Sequence, residues 1–455
     1  MIISVVSFKI YSTGGKEMDK PILSTHFKSR EPSDVRLAQI RFGKRPIKPE
    51  KVINVAIGNV SLPMNPAMQR RMFELDSPKS PFRNGAIRYA ATEGDTEAQD
   101  AFRNILKSEG FDADDLYIQI TEGGSAGMEL LLLGVCGEAG TDERPLMMID
   151  PTYTNYTSFA KRVGRKTITI TRHMGEDGKF NLPDMEEIEE VIKANNPGAL
   201  LVIPYDNPTG QFYTEDIMKE LASLCVKYNM WLASDEAYRG LYYDRDEKLV
   251  SIWGLSDADV PGIEGRRISI ETTSKMWNAC GLRIGAVITD NREFNNRSVA
   301  EYTANLCANS IGQYIFGALA HESKESILEW CREQRDYYRE QIVGVYKEFK
   351  KQDPRLIVSS PDASIYSVID VGNAVRPGFD STEFVLYCAE LGAVEIDGIE
   401  MTLLVAPMKG FYNVEDEEQN PGRTQMRISF VESPENMALV PELFVKLLRK
   451  YEEQR

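Results

Sequence analysis

Between residues 116 and 289 the chain repeats one pattern: a short strand-like run, apolar and without polar alternation most plainly at 146–150, 199–203, 230–234 and 286–289, then a longer stretch with apolar residues at helical spacing. The runs fall at 116–120, 146–150, 166–171, 199–203, 230–234, 267–271 and 286–289, with helices predicted at 126–135, 153–163, 185–194 and 215–228. A strand with one wet face alternates apolar and polar residues; a strand that does not alternate is covered on both faces. Such strands, separated by helices, predict an α/β fold: a large, mostly parallel sheet in an α/β/α arrangement.

The flanks read differently. Residues 1–50 form an N-terminal arm, polar and locally basic over 18–50, with one short helix at 33–42. Residues 1–17 are expected to be a mis-called start, with translation beginning at Met18. The large domain is predicted over 51–320, opening with a strand at 52–57 and helices at 66–75 and 95–109. Helical spacing then runs nearly unbroken over 312–349 and predicts one long helix leading into a smaller α+β domain, 321–455, which also takes in part of the N-terminal segment. That domain carries strands at 356–359, 364–370, 401–406 and 424–430, and helices at 381–391 and 436–452.

A chain of 455 residues can bury cores of this size. Its formal net charge of −16 gives no electrostatic case for nucleic acid or an anionic membrane, so an anionic ligand needs its own local positive site. No apolar run reaches the roughly 18 residues of a membrane span, and the expected location is cytoplasmic. The six cysteines are scattered without a C-x-x-C pair, as expected of reduced thiols. Three histidines, His26, His173 and His321, leave little material for a metal site, and no metal is expected.

Ligands of open α/β sheets sit beyond the carboxyl ends of the strands, and several such ends here carry unusual residues. Ile270 to Gly285 holds Lys275 among Thr272, Thr273 and Ser274, with Arg283 eight residues on. A desolvated lysine can hold a carbonyl as an imine, and hydroxyls with an arginine suit a phosphate. Pyridoxal phosphate has both groups; a surface lysine beside an unrelated ion pair is the plainer alternative. Thr121-Glu122-Gly123-Gly124-Ser125-Ala126-Gly127 sets glycines and a hydroxyl at a helix start, where free N–H groups and the helix dipole favour an anion. The same letters satisfy G-x-S-x-G, the nucleophile elbow of hydrolases, with Ser125 and His173 or His321 as its candidates. In Asp150-Pro151-Thr152-Tyr153 an aromatic follows a strand end and could stack on a flat ring. Asn207-Pro208-Thr209-Gly210 is a turn that would aim an amide above the sheet. Asp235-Glu236-Ala237-Tyr238 places an acid at an apolar strand end, where it costs desolvation unless paired. Far away in sequence, Gln425-Met426-Arg427-Ile428-Ser429 sets a cation in an apolar strand, suited to a bidentate grip on a carboxylate.

Taken together and in this order, these stretches resemble the class I/II aminotransferases, which are fold-type-I pyridoxal phosphate enzymes, over about residues 50 to 450. The hydrolase reading leaves Lys275, Asp235 and Arg283 without a use. The resemblance implies that Lys275 is the Schiff-base lysine and proton shuttle, and that Asp235 pairs with the pyridine nitrogen. It gives Tyr238 and Asn207 to the ring oxygen, Tyr153 to the ring face, and Gly124, Ser125, Ala126, Thr272, Ser274 and Arg283 to the phosphate. Arg427, with Gly58, Asn59 and Asn207, would hold the substrate carboxylate. Tyr89 would reach the phosphate of a partner subunit, which implies a homodimer with shared active sites. The implied substrates are an L-amino acid and a 2-oxo acid, exchanged by ping-pong transamination. A non-transaminating relative, such as a β-lyase, decarboxylase or cyclising lyase, would share every cofactor residue. A regulator with an aminotransferase body would need a basic DNA-binding domain, for which the first 50 residues are too short.

The chain departs from the family pattern in four places. Tyr205-Asp206 adds a carboxylate before N-P-T-G, Ser360-Pro361-Asp362-Ala363-Ser364 lacks a common glycine, and Glu271 precedes the hydroxyl cluster. Asn309 falls near the position of the arginine by which dicarboxylate-specific members read a second carboxylate across the dimer.

Overall fold

Seven apolar runs hydrogen-bond into one sheet. Numbering strands along the chain, with β1 at Lys51–Asn54, the sheet comprises β2 (Tyr117–Thr121), β3 (Leu146–Asp150), β4 (Thr167–Thr171), β5 (Ala199–Val202), β6 (Trp231–Asp235), β7 (Arg267–Thr272) and β8 (Gly285–Thr289). These features belong to a computed structural model that describes residues 21–138, 140–141, 144–360 and 362–455. The proposed false start at 1–17 lies outside the described residues.

The strand order is β2-β8-β7-β6-β5-β3-β4, parallel from β7 to β4, with β8 antiparallel to both neighbours. Between β7 and β8 the chain has no α-helix to carry it across a face, only the short turn Cys280–Leu282, so it reverses. Absent alternation has the expected cause. Leu146, Met148, Leu201 and Ile203 enter one apolar cluster, while Met147, Ile149, Leu200 and Val202 enter another on the opposite face. Helix Gly123–Val135 packs with the first cluster and helix Thr96–Glu109 with the second.

Two smaller sheets follow. β9 (Ile357–Val358), β10 (Tyr366–Asp370), β13 (Ala406–Pro407) and β14 (Gln425–Ser429) run in the order β13-β14-β10-β9 and are antiparallel. β11 (Val394–Ile396) and β12 (Ile399–Leu404) form the other with β1, which lies parallel to β12. The chain leaving β1 thus joins the C-terminal strands, and Ser429 N–H donates to the Val55 carbonyl at 2.8 Å.

The continuous helix expected over 312–349 is broken. Helix Ser310–Gly317 passes through a tight turn at Ala318–His321, and a new helix, Lys324–Gln352, begins where the Ser323 hydroxyl caps the Ser326 N–H at 3.2 Å. Apolar spacing spans the junction, but the cap chemistry of serine ends one helix and starts the next. Helix Arg292–Tyr302 and strand β11 were not legible from periodicity.

Candidate active site

Beyond the carboxyl ends of β6 and β7, at the start of helix Gly123–Val135, lies a cavity of about 530 Å³. The β1–helix loop, the N-P-T-G turn and β14 close its other side. Gly58, Asn59, Gly124, Ser125, Tyr153, Asn207, Asp235, Tyr238, Thr272, Ser274, Lys275, Arg283 and Arg427 all line it. Two expected residues do not. Ala126 turns its side chain into the apolar cluster under the helix, so only its backbone lies in the first turn. Tyr89 stands outside the cavity, 81% exposed.

Lys275 reaches across from the end of β7 and its Nζ donates to the Gly58 carbonyl. Gly58 is needed there: a Cβ would sit 2.1 Å from the Tyr366 hydroxyl and 3.2 Å from Lys275 Nζ. Thr272 and Ser274 hydroxyls bond each other at 2.8 Å. Arg283 adopts a left-handed backbone, φ 53°, which costs about 1–2 kcal/mol for a residue with a Cβ. In return its guanidinium lies against Gly123, where a Cβ would approach Nη2 to 2.4 Å. Hydroxyls, this cation and the helix N-terminus together make one anion-binding corner.

Asp235 ends β6 half-buried. Ala237 N–H donates to Oδ1 at 3.0 Å and the Tyr156 hydroxyl donates to Oδ2. Burial raises its pKa, while the Tyr156 and Ala237 bonds pull it back down. Tyr238 OH bonds Tyr366 OH at 2.9 Å and lies 3.5 Å from Asn207 Nδ2. Burial, and then Tyr366, push the Tyr238 phenol well above its ordinary range, so it stays a neutral donor. Desolvation pushes the half-buried Tyr153 phenol up to about 12; its ring meets Tyr156 edge-on at 5.4 Å.

Arg427 is 5% exposed. Nη1 donates to Asn207 Oδ1 and Nη2 to the Ala56 carbonyl, both at 2.8 Å, and the guanidinium lies over the rings of Tyr366 and Phe411. Among the described residues no carboxylate lies within ion-pair distance of it, and Nε is buried without a partner. A buried cation held only by neutral groups is costly unless an anion joins it.

Three of the departures acquire physical accounts. Asp206 does not add a carboxylate to the cavity, as expected from sequence. It is buried against Arg172 and the Thr209 hydroxyl, and so braces the turn that carries Asn207. Glu271 accepts from Arg239 Nη1 at 2.6 Å, and Arg239 also meets Glu109 at 2.7 Å and Glu236 at 3.6 Å. Asn309 caps helix Ser310–Gly317 through the Gly312 N–H. Neither His173 nor His321 lines the cavity, and His321 bonds Glu97 instead.

Sequence reasoning missed Tyr156, Tyr366, Phe411 and Arg36, all of which line the cavity. Tyr156 had a usable signal, standing one helical turn after Tyr153. Tyr366, Phe411 and Arg36 had none, since they arrive from distant strands, loops and the arm.

Residues 51–409 match the family model for aminotransferases of class I and II. A probable aspartate aminotransferase from Methanocaldococcus jannaschii is 26% identical over 309 residues, 65% of this chain and 74% of that protein. A probable aspartate/prephenate aminotransferase from Aquifex aeolicus is 24% identical over 69% of this chain and 76% of its own length. Among solved structures, a single mutant of the Thermus thermophilus aspartate aminotransferase superposes with a TM-score of 0.75 over 94% of this chain and all of that one, at 18% identity.

Proposed function

The chain belongs to the class I and II aminotransferases, a family of pyridoxal phosphate-dependent transferases with the fold-type-I architecture, and on that premise we propose that it moves an α-amino group from an L-amino acid to a 2-oxo acid in two ping-pong half-reactions. The observation that carries this reading is Arg427: a buried cation without a carboxylate partner among the described residues, in the cavity that also holds Lys275 and Asp235.

Pyridoxal phosphate fits the residues present. It brings an aldehyde, a phosphate and a basic ring nitrogen. The cavity offers an amine at Lys275, a cation among hydroxyls and helix N–H groups at Arg283, and a half-buried carboxylate at Asp235. When bound, the cofactor supplies the electron sink and carries the amino group between half-reactions.

In this reading Arg283, Thr272, Ser274, Ser125 and the backbone of Gly124 and Ala126 hold the phosphate. Tyr153 covers the ring, and Tyr238 and Asn207 bind its hydroxyl oxygen. Asp235, ionised with the help of Tyr156, holds a proton on the ring nitrogen. Arg427 grips the substrate α-carboxylate, with Gly58, Asn59 and Asn207 closing the same wall. That grip turns the Cα–H toward Lys275, whose Nζ takes the proton and later returns it, a general acid–base role worth about 10²–10⁴-fold. The apolar walls, Ile57, Val35 and Phe411, exclude water during the transfer.

The same reading divides the chain into a cofactor-binding domain over 51–320 and a smaller domain over 321–455, to which the smaller sheet adds β1. It also makes the protein a cytoplasmic homodimer. Exposed Phe73, Ile87 and Leu306, with Tyr89, offer the apolar surface for a partner. No helix among the described residues is long and apolar enough to cross a membrane.

Two measurements test the function. A donor amino acid without acceptor should give one equivalent of 2-oxo acid per site and no ammonia, with turnover appearing once 2-oxoglutarate or pyruvate is added. Lys275→Ala should abolish it. Ammonia release, or turnover by the variant, would refute the assignment.

A further inference from the structure

We propose that Arg36 reads a second carboxylate on the substrate, so that the amino acids and oxo acids this site prefers are dicarboxylic; the proposal rests on the aminotransferase reading above. Charged residues lining the cavity are one carboxylate, Asp235, and four cations, Arg36, Lys275, Arg283 and Arg427. In a chain with 69 acidic and 53 basic residues that is a local reversal of sign. Three of the cations have uses in transamination of any amino acid: the aldehyde, the phosphate and the α-carboxylate. Arg36 is left over.

Arg36 is exposed at the edge of the cavity, and nothing else among the described residues neutralises it. Arg36 Nη1 donates to Gln39 at 3.0 Å, and no carboxylate lies within 4.0 Å of its guanidinium among the described residues. The adjacent acid, Asp34, faces Lys409, Asp380 and Thr382 on the other side of the helix. Ser33, which also lines the cavity, occupies the N-cap position without making a side-chain cap bond, so its hydroxyl is free to join the same anion.

The helix that carries Arg36, Asp34–Gly43, is anchored. Ala38 is fully buried, and Arg45 donates to the Cys388, Leu391 and Gly392 carbonyls that end helix Ser381–Glu390. Val35 packs on the cluster of Phe180, Val368 and Phe411. Phe411 in turn lies under Arg427, 5.0 Å from guanidinium to ring centroid. Arg36 and Arg427 therefore flank one apolar wall, with Ile57 beside it. A side chain of methylenes ending in a carboxylate matches that order: cation, apolar wall, cation.

Donor selectivity in Arg36→Met and Arg36→Lys tests this. The readout is the ratio of kcat/KM for aspartate, glutamate and 2-aminoadipate over that for alanine, leucine and phenylalanine. Loss of a charged hydrogen-bonding partner should lower the ratio about 10- to 100-fold in Arg36→Met, with Arg36→Lys between it and the wild type. Calorimetry on the holoenzyme gives an independent readout: succinate or glutarate should bind more tightly than butyrate, and Arg36→Met should erase the difference. An unchanged ratio, or equal binding of the two acid types in the wild type, would overturn the proposal while leaving aminotransferase activity in place. If no amino acid yields oxo acid with the wild type, the underlying reading falls and this one with it.

Discussion

Arg427 and Arg239 are both 5% exposed, yet their surroundings are opposite. Arg239 sits among Glu109, Glu236 and Glu271 behind the ends of β6 and β7. Arg427 has an amide oxygen, a carbonyl and two aromatic faces, and it opens on the cavity. Taking a cation out of water costs several kcal/mol unless an anion accompanies it. At Arg239 the anions belong to the chain, so the site is closed and serves stability. At Arg427 no carboxylate of the described residues supplies the anion, so the site stays open, and in the proposed function a ligand's carboxylate fills that place. The number of carboxylates around a buried arginine separates scaffold from function here.

The largest effect should come from Arg427→Ala. Removing a buried charge from a carboxylate ligand costs about 2–5 kcal/mol, so kcat/KM should fall on the order of a hundred- to a thousand-fold. The melting temperature should move far less than in Arg239→Ala. A variant that unfolds while keeping its substrate affinity would reverse the comparison.

Arg239→Ala should do the opposite. It strands three buried carboxylates, and breaking such a cluster costs about 3–5 kcal/mol of stability. Denaturant midpoints would show it, and an unchanged midpoint would mean that the cluster is not the support described above.

The same cluster should mark the pH dependence of stability. Burial raises the Glu236 carboxyl from an ordinary 4.5 to about 7, against the pull of Arg239. The folded chain thus keeps a proton that the unfolded chain has already released. Stability from this group is complete below the unfolded value of 4.5 and is lost as pH rises through about 7. Glu236→Gln removes the titration with little change of shape, so its urea midpoint should fall less steeply across that window. Parallel curves for the two proteins would contradict the assignment.

Smaller still is the effect expected at Asp235, the anionic counterpart of Arg427. Tyr156→Phe deletes one of its two donors, and kcat should drop by roughly tenfold, the worth of a hydrogen bond to a charged group. An unaltered kcat would show that Ala237 N–H alone keeps the carboxylate ionised.

Much of this was legible before the structure. Apolar runs without alternation gave a sheet covered on both faces, and motifs at strand ends gave Lys275, Asp235 and Asn207, because a strand end and its next few residues stay together in space. The break at 318–323 was hidden because a serine cap interrupts the backbone without disturbing apolar spacing. Glu271 could not be explained from sequence, since Arg239 and Glu109 reach it from a loop and a distant helix. Arg36 was invisible as a cavity residue for the same reason: its place depends on Arg45 gripping carbonyls more than three hundred residues away. Asp206 lies near the site in sequence but not in space, because Arg172 draws it into the core.

In the proposed function one lysine, Lys275 at the end of β7, holds the cofactor. Reducing the pyridoxal phosphate-loaded protein with borohydride and mapping its peptides tests this most directly. Label on Lys275 alone, at one equivalent per chain, is the predicted result. Label spread over surface lysines, or its absence from Lys275, would contradict the account.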